Sequence, residues 1–213
     1  MNLKFKRYWR KTSLKKNKDG NFLLNHIYSL KPKNFLEIGV FHGVTARNVC
    51  DLLFLVHNNK FKFTGIDLFE NDEKKMDDEI APKTKFSNPL KNIFYKYIIR
   101  SDPYSYKSVL KLLIKFQKNI NIIKGNSNHV LKKINTNQFD YVFLDGGHKY
   151  ETVKNDLDCL KDVVKNNGTI LCDDYNLIYA PGIKKAIDEY AAINNFNLKI
   201  LNDRFAEITR KFK

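Results

Sequence analysis

The chain has 213 residues, of which 43% are hydrophobic and 29% charged, the balance of one soluble globular domain with a real core. No apolar run reaches membrane-spanning length, and the charged N-terminus lacks a signal-peptide pattern. The odd, widely spaced Cys50, Cys159 and Cys172 argue against a disulfide framework or zinc site and for a reducing, cytoplasmic compartment.

The net charge is +15, and residues 1–20 hold eight Lys or Arg against one Asp. Such a stretch suits nucleic acid or an anionic surface. The remaining charge is scattered among Lys and Asn, without the arginine and aromatic density of a base-reading face, so a solubilising, partly ordered arm is the favoured reading. The expected organisation is a basic arm over 1–20 and one domain over 21–213.

A helix is expected over 21–30, ended before Pro32. Residues 34–40 read as a strand, and 44–57 as a helix with apolar residues at Val44, Val49, Leu52, Leu53 and Val56. A second strand covers 61–69. The polar segment 70–106, with Pro82, Pro89 and Pro103, is too long for a plain connection and reads as a lid or substrate insertion with some helix. Then come a helix over 106–116, a strand over 119–124 and a short helix over 128–134. A strand over 139–145 precedes a helix from 150 to 164. Gly168 closes the next turn before a strand over 169–172, and Pro181 opens a helix running to 193. Two short strands, 198–201 and 205–211, finish the chain. Strands alternating with helices predict an α/β fold, with a mainly parallel sheet covered on both faces.

In such a sheet ligands bind beyond the carboxyl ends of the strands. Polar residues gather there: Glu37, Asp67, Asn126 and Ser127, Asp145 and His148, then Asp173 and Asp174. Each alone reads equally as a helix cap or turn residue; five strand ends in series are harder to dismiss. At the first strand end, Gly39 and Gly43 open a strand-to-helix turn where backbone can approach a ligand. Glu37 and His42 stand where a dinucleotide fingerprint needs glycine, so a ligand with an ammonium group and a ribose fits better. Asp67 suits the two ribose hydroxyls. His42 either touches the ligand or faces solvent, and Tyr150 and Tyr175 flank the site as candidate pocket residues.

The segments E-I-G-V-F-H-G-V-T (37–45), G-I-D-L-F (65–69), K-G-N-S (124–127), F-D-Y-V-F-L-D-G-G-H-K-Y (139–150) and G-T-I-L-C-D-D-Y (168–175), in this order, resemble the class I S-adenosylmethionine-dependent methyltransferases, and within them the catechol-type and macrolide-sugar O-methyltransferases near methyltransferase family 24. The resemblance spans roughly 34–200. It implies a Rossmann-like, seven-stranded sheet with an antiparallel last strand. It implies that Glu37, Gly39, Gly43 and Thr45 meet the methionine end of S-adenosylmethionine, that Asp67 holds the ribose, and that Asn126 and Ser127 lie by the adenine, with Asp145 also at the cofactor. It implies Mg²⁺ or another divalent cation on Asp145, Asp173 and Asp174. His148, three residues beyond Asp145, is the candidate base; a cap of the following helix or a partner of Asp145 is the alternative.

The expected reaction is methyl transfer to a hydroxyl of a small molecule, a sugar or sugar nucleotide before others. The alternatives are a nucleic-acid methyltransferase using the basic arm, disfavoured by the absence of an N/D-P-P-Y motif, and a cofactor-binding module without catalysis, disfavoured by the intact strand-end acids. Self-association stays open.

Overall fold

The computed structural model describes residues 3–69, 86–135 and 137–211. Seven strands form one sheet: β1 Asn34–Ile38, β2 Lys62–Asp67, β3 Ile120–Lys124, β4 Phe139–Leu144, β5 Val164–Cys172, β6 Phe196–Leu201 and β7 Phe205–Arg210. Their spatial order is β3-β2-β1-β4-β5-β7-β6. β1 pairs parallel with both β2 and β4, while β7 runs antiparallel to β5 and β6. From β1 the chain winds outward to β2 and β3, and then returns to β4 on the other side. The gap beyond the carboxyl ends of β1 and β4 is therefore the switch point, where such sheets open a crevice.

The central strands are buried on both faces, with period two. Phe35, Tyr141 and Phe143 point into the layer under α1 (Asn17–Leu30) and α2 (Val44–His57). Leu36, Val142 and Leu144 point into the layer under α6 (Tyr150–Val163) and α7 (Pro181–Ile193), reached on β3's side by α5 (Ser127–Leu131). Phe63, Phe35 and Tyr141 stack across three adjacent strands, with ring centroids 5.7 and 5.0 Å apart. Aromatic pairs of this kind fix the register that the parallel ladders then share.

Most expected elements form, with shifted ends. β5 begins at Val164, immediately after α6, and its ladder with β4 skips from Phe139–Val164 to Tyr141–Thr169. The residues around Gly168 are thus an irregularity inside one strand, not a turn before it. The helix expected to start at residue 21 starts at Asn17 and runs through Gly20, where Phe5 packs so closely that a Cβ would lie 2.3 Å from its ring. Residues 3–15 lie against the domain: Phe5 and Leu14 are buried, Leu14 completely. Of the expected insertion, residues 70–85 lie outside the described residues. The rest forms a short helix α3 (Pro89–Ile93), a π-helical turn (Phe94–Ile99) and, from residue 106, α4 (Tyr106–Leu112) with a 3-10 turn after it.

Candidate active site

The turn after β1 is built from backbone constraints. Gly39 has φ +90°, and a Cβ there would lie 1.9 Å from the carbonyl oxygen of Asp145. Only glycine lets the ends of β1 and β4 meet so closely. The Gly39 N–H donates to the Ile66 carbonyl (2.9 Å), and the Asp145 N–H to the Ile38 carbonyl (2.9 Å), which ties three strand ends together. Gly43, with φ +73°, precedes α2. Its N–H donates to the Val40 carbonyl (2.8 Å), and Thr45 stands in the first turn of that helix.

Asp67, at the end of β2, accepts from the Phe41 N–H (2.7 Å) on one oxygen, and from the Phe69 N–H (3.0 Å) and the Tyr104 hydroxyl (2.9 Å) on the other. Glu37 is 1% exposed, and neither carboxylate oxygen has a hydrogen-bond partner among the described residues. Burial, reinforced by the charges of Asp145 and Asp67, holds its carboxyl well above the usual range. It sits beneath the turn rather than on the cavity wall. Two unsatisfied buried oxygens suit a donor-bearing cationic group coming from above.

Asp145, Asp173 and Asp174 do come together: one carboxylate oxygen from each lies within 4.8 Å of the others. The turn between β6 and β7 adds Arg204, which sequence reasoning missed. Its guanidinium donates to both oxygens of Asp173 (2.5 and 2.6 Å), contacts Asp174 at 2.9 Å, and lies 3.8 Å from Asp19. The Ser13 hydroxyl donates to Asp145 (2.6 Å), and His148 Nε2 lies 3.4 Å from an Asp174 oxygen. Burial, with the neighbouring Asp173 and Asp174, pushes the Asp145 carboxyl well up. Burial also lifts Asp173 to about 6 against the pull of Arg204.

Asp145, His148 and Asp174 face one cavity of about 980 Å³, which Gly39, Thr45, Asp67, Asn126 and Ser127 also line, whereas Asp173 and Arg204 lie behind its lining. Asn126 also caps α5 through its side chain, accepting from the Asn128 N–H (3.0 Å). The basic stretch also lines the cavity, through Arg7, Arg10, Lys11 and Lys15. Arg10 donates to the carbonyls of His42 (3.0 Å), Pro103 (2.9 Å) and Ser108 (3.0 Å) and to the Ser108 hydroxyl (2.9 Å). One side chain thus clasps three segments. Nothing in the periodicity of residues 1–20 signals it, because every acceptor is distant in sequence.

Two expectations are corrected. His42 does not face solvent: it is fully buried against the Phe41 ring, and its Nδ1 accepts from the Lys11 N–H (3.3 Å). Burial, with the charges of Arg10 and Lys11, pushes its pKa down to about 3. Tyr150 and Tyr175 do not line the cavity. Their hydroxyls donate to Glu189 (2.5 Å) and Asp188 (2.6 Å) on α7, so both serve the packing of that helix. The aromatic residues on the cavity wall are Phe41, Phe86 and Tyr104.

A family model described as a methyltransferase domain matches residues 36–175, about two thirds of the chain. Solved structures share the fold. The SAH-bound methyltransferase PaMTH1 of Podospora anserina is 16% identical with a TM-score of 0.63, over 93% of this chain and 80% of its own. The O-methyltransferase NovP is 18% identical with a TM-score of 0.63, over 89% and 80%. CalS11, a TDP-rhamnose 3'-O-methyltransferase of calicheamicin biosynthesis, is 14% identical with a TM-score of 0.58, over 90% and 78%. No curated protein matches in sequence. With the match over most of the chain and the strand order shared with these structures, the chain belongs to the methyltransferase-domain family and is a class I, S-adenosylmethionine-dependent methyltransferase.

Proposed function

We propose that this enzyme methylates a hydroxyl of a small metabolite, a sugar or sugar nucleotide first among candidates. The observation that carries the reading is one cavity lined by the glycine turn and Asp67 together with Asp145, His148 and Asp174. Its volume suits a cofactor together with a small acceptor. The sugar-methylating relative CalS11 supports the acceptor class, and three free cysteines fit a cytoplasmic enzyme.

S-adenosylmethionine supplies the methyl group as a sulfonium, open to in-line displacement. The chain's own task is to place and activate the acceptor. Asp67, fixed by two backbone N–H groups, would take the ribose hydroxyls, and Asn126 and Ser127 would edge the adenine. Glu37, beneath Gly39, offers its unsatisfied oxygens towards the methionine ammonium. His148 takes the hydroxyl proton, and Asp174, 3.4 Å from its Nε2, steadies the imidazolium. Asp145, Asp173 and Asp174 are hard oxygen donors of the kind Mg²⁺ prefers, and their charge exceeds what Arg204 neutralises, so the set fits a divalent cation. Such a cation, when bound, supplies Lewis acidity that lowers the hydroxyl's pKa.

A nucleic-acid substrate gains less support, because the basic stretch is folded onto the cavity by Arg10. Calorimetry with S-adenosylhomocysteine, followed by transfer of a labelled methyl group to a panel of sugar nucleotides and other hydroxyl acceptors, tests the reading. Binding and transfer are expected. No cofactor binding by folded protein sinks the reading entirely, while binding with transfer only to RNA sinks the acceptor class.

A further inference from the structure

The cavity that holds the carboxylates also carries charge of the other sign. Phe86 is buried, and Tyr95 stacks on one of its faces, with centroids 5.1 Å apart and planes 11° from parallel. The ammonium groups of Lys11 and Lys91 lie 5.7 and 5.6 Å from the Phe86 centroid, and Lys91 is also 5.8 Å from that of Trp9. Both lysines are half-buried, and neither has a carboxylate within ion-pair distance among the described residues.

Two like charges held over one ring repel, and the quadrupole of that ring offsets only part of the cost. Arg10 adds a third charge nearby; its hydrogen bonds go to neutral oxygens, and the Asp102 carboxylate offsets part of its charge. The neighbouring His42 is held well below its ordinary pKa, at about 3, by burial first and then by the charges of Arg10 and Lys11. An anion between the ammonium groups relieves this cost. Lys11, Phe86 and Lys91 all line the cavity that holds Asp145 and His148. A ligand filling that cavity would thus be able to present a hydroxyl to the acids and an anionic group to the lysines.

We propose that Lys11 and Lys91, backed by Phe86, form a subsite for a phosphate group of the methyl acceptor, so that the acceptor is a phosphorylated metabolite such as a nucleoside-diphosphate sugar. Lysine is a point-charge binder of phosphate, and two converging lysines discriminate a multiply charged phosphate from a neutral sugar. The proposal rests on the methyltransferase reading of the cavity above. The rival source of the anion is the methionine carboxylate of the cofactor, which is chemically similar and sits in the same cavity.

The test uses the full chain with uridine diphosphate and inorganic pyrophosphate as probes, titrated by calorimetry with and without saturating S-adenosylhomocysteine. Both probes are expected to bind, with a dissociation constant below about 1 mM that weakens steeply with salt. The double variant Lys11→Gln/Lys91→Gln is expected to lose about tenfold in probe affinity or more, with S-adenosylhomocysteine affinity within about twofold of wild type. Lys11→Arg/Lys91→Arg, which keeps the charge, is expected to restore most of the binding. Equal probe affinity in wild type and the Gln variant overturns the subsite, as does absence of probe binding to wild type. A loss of S-adenosylhomocysteine affinity with probe binding intact overturns it in favour of the cofactor carboxylate. Should wild type bind pyrophosphate through these lysines yet bind no S-adenosylhomocysteine, the methyltransferase reading fails while the anion subsite stands.

Discussion

Arg204 forks onto both carboxylate oxygens of Asp173, at 2.5 and 2.6 Å, from a hairpin turn on the far side of the sheet order from the glycine turn. A bidentate pair of this kind is among the strongest side-chain contacts, and here it sits inside the acid set suited to a cation. A divalent cation bound to this set would therefore compete with Arg204 for Asp173. Arg204 has alternative partners at hand, the Asp19 carboxylate at 3.8 Å and the Ser13 carbonyl at 3.5 Å.

Removing the guanidinium should expose that competition. Arg204→Gln leaves Asp173 buried without its counter-ion, a loss of about 3–5 kcal/mol in EDTA. Manganese added in excess should recover much of it, because the vacated carboxylates bind the ion more tightly than in wild type. Thermal unfolding of both proteins in EDTA and in MnCl₂ decides the matter. An equal manganese shift in the two would show that Arg204 and the cation do not share ligands.

Gly39 and Gly43 should respond very differently to alanine. At Gly39 the methyl group meets the Asp145 carbonyl at 1.9 Å with φ +90°, so one strand end must move. A loss of about 3 kcal/mol or more, with S-adenosylhomocysteine binding abolished, is expected. At Gly43 the nearest atom is a methyl of buried Val109 at 3.0 Å, which must give by a few tenths of an ångström, so the cost is that small shift plus the left-handed backbone, about 1–2 kcal/mol. Chemical denaturation ranks the two; a Gly43 variant as damaged as the Gly39 variant would contradict this account.

Tyr104 and Asp67 separate support from contact. The Phe41 and Phe69 N–H groups hold Asp67 without help from Tyr104. Tyr104→Phe therefore removes about 1 kcal/mol and weakens S-adenosylhomocysteine binding about fivefold at most. Asp67→Ala should weaken it about a hundredfold or more, since the ribose hydroxyls lose their acceptor in a desolvated site. Calorimetry on both variants reads this, and normal affinity in Asp67→Ala would remove the ribose role.

His42 should make the protein acid-sensitive. Its folded pKa of about 3 lies below the ordinary 6.5, so between those values the unfolded chain binds a proton that the folded one refuses. Stability from this residue is complete above pH 6.5 and falls as pH drops towards 3. Down to pH 4.5 the loss is up to about 2–3 kcal/mol. Asp156 and Asp173, both raised to about 6 with burial as the largest cause, act in the opposite sense between 6 and 3.8. His42→Gln removes only the histidine contribution. The gap between wild type and variant in urea unfolding should narrow or reverse from pH 7 to pH 4.5; a constant gap would mean that His42 titrates normally.

The sequence by itself determined the alternation of strands and helices, the glycine turn at 39–43 and the placement of Asp67, Asn126, Asp145 and Asp173 at successive strand ends. These features are local. A period of two or 3.6 and a glycine after an apolar run are set by residues within one element, and the parallel order then carries the carboxyl ends of β1 to β5 to the same edge. Only the tertiary structure decided the rest. Residues 3–15 became a wall of the cavity because Arg10 finds acceptors at His42, Pro103 and Ser108. Arg204 entered the acid set through the reversal of β7. Tyr150 and Tyr175 left the cavity for α7, and Tyr104 reached Asp67 across 37 residues. Each of those contacts joins groups distant in sequence. Their energies come from burial and charge pairing that exist only once the sheet has brought the partners together.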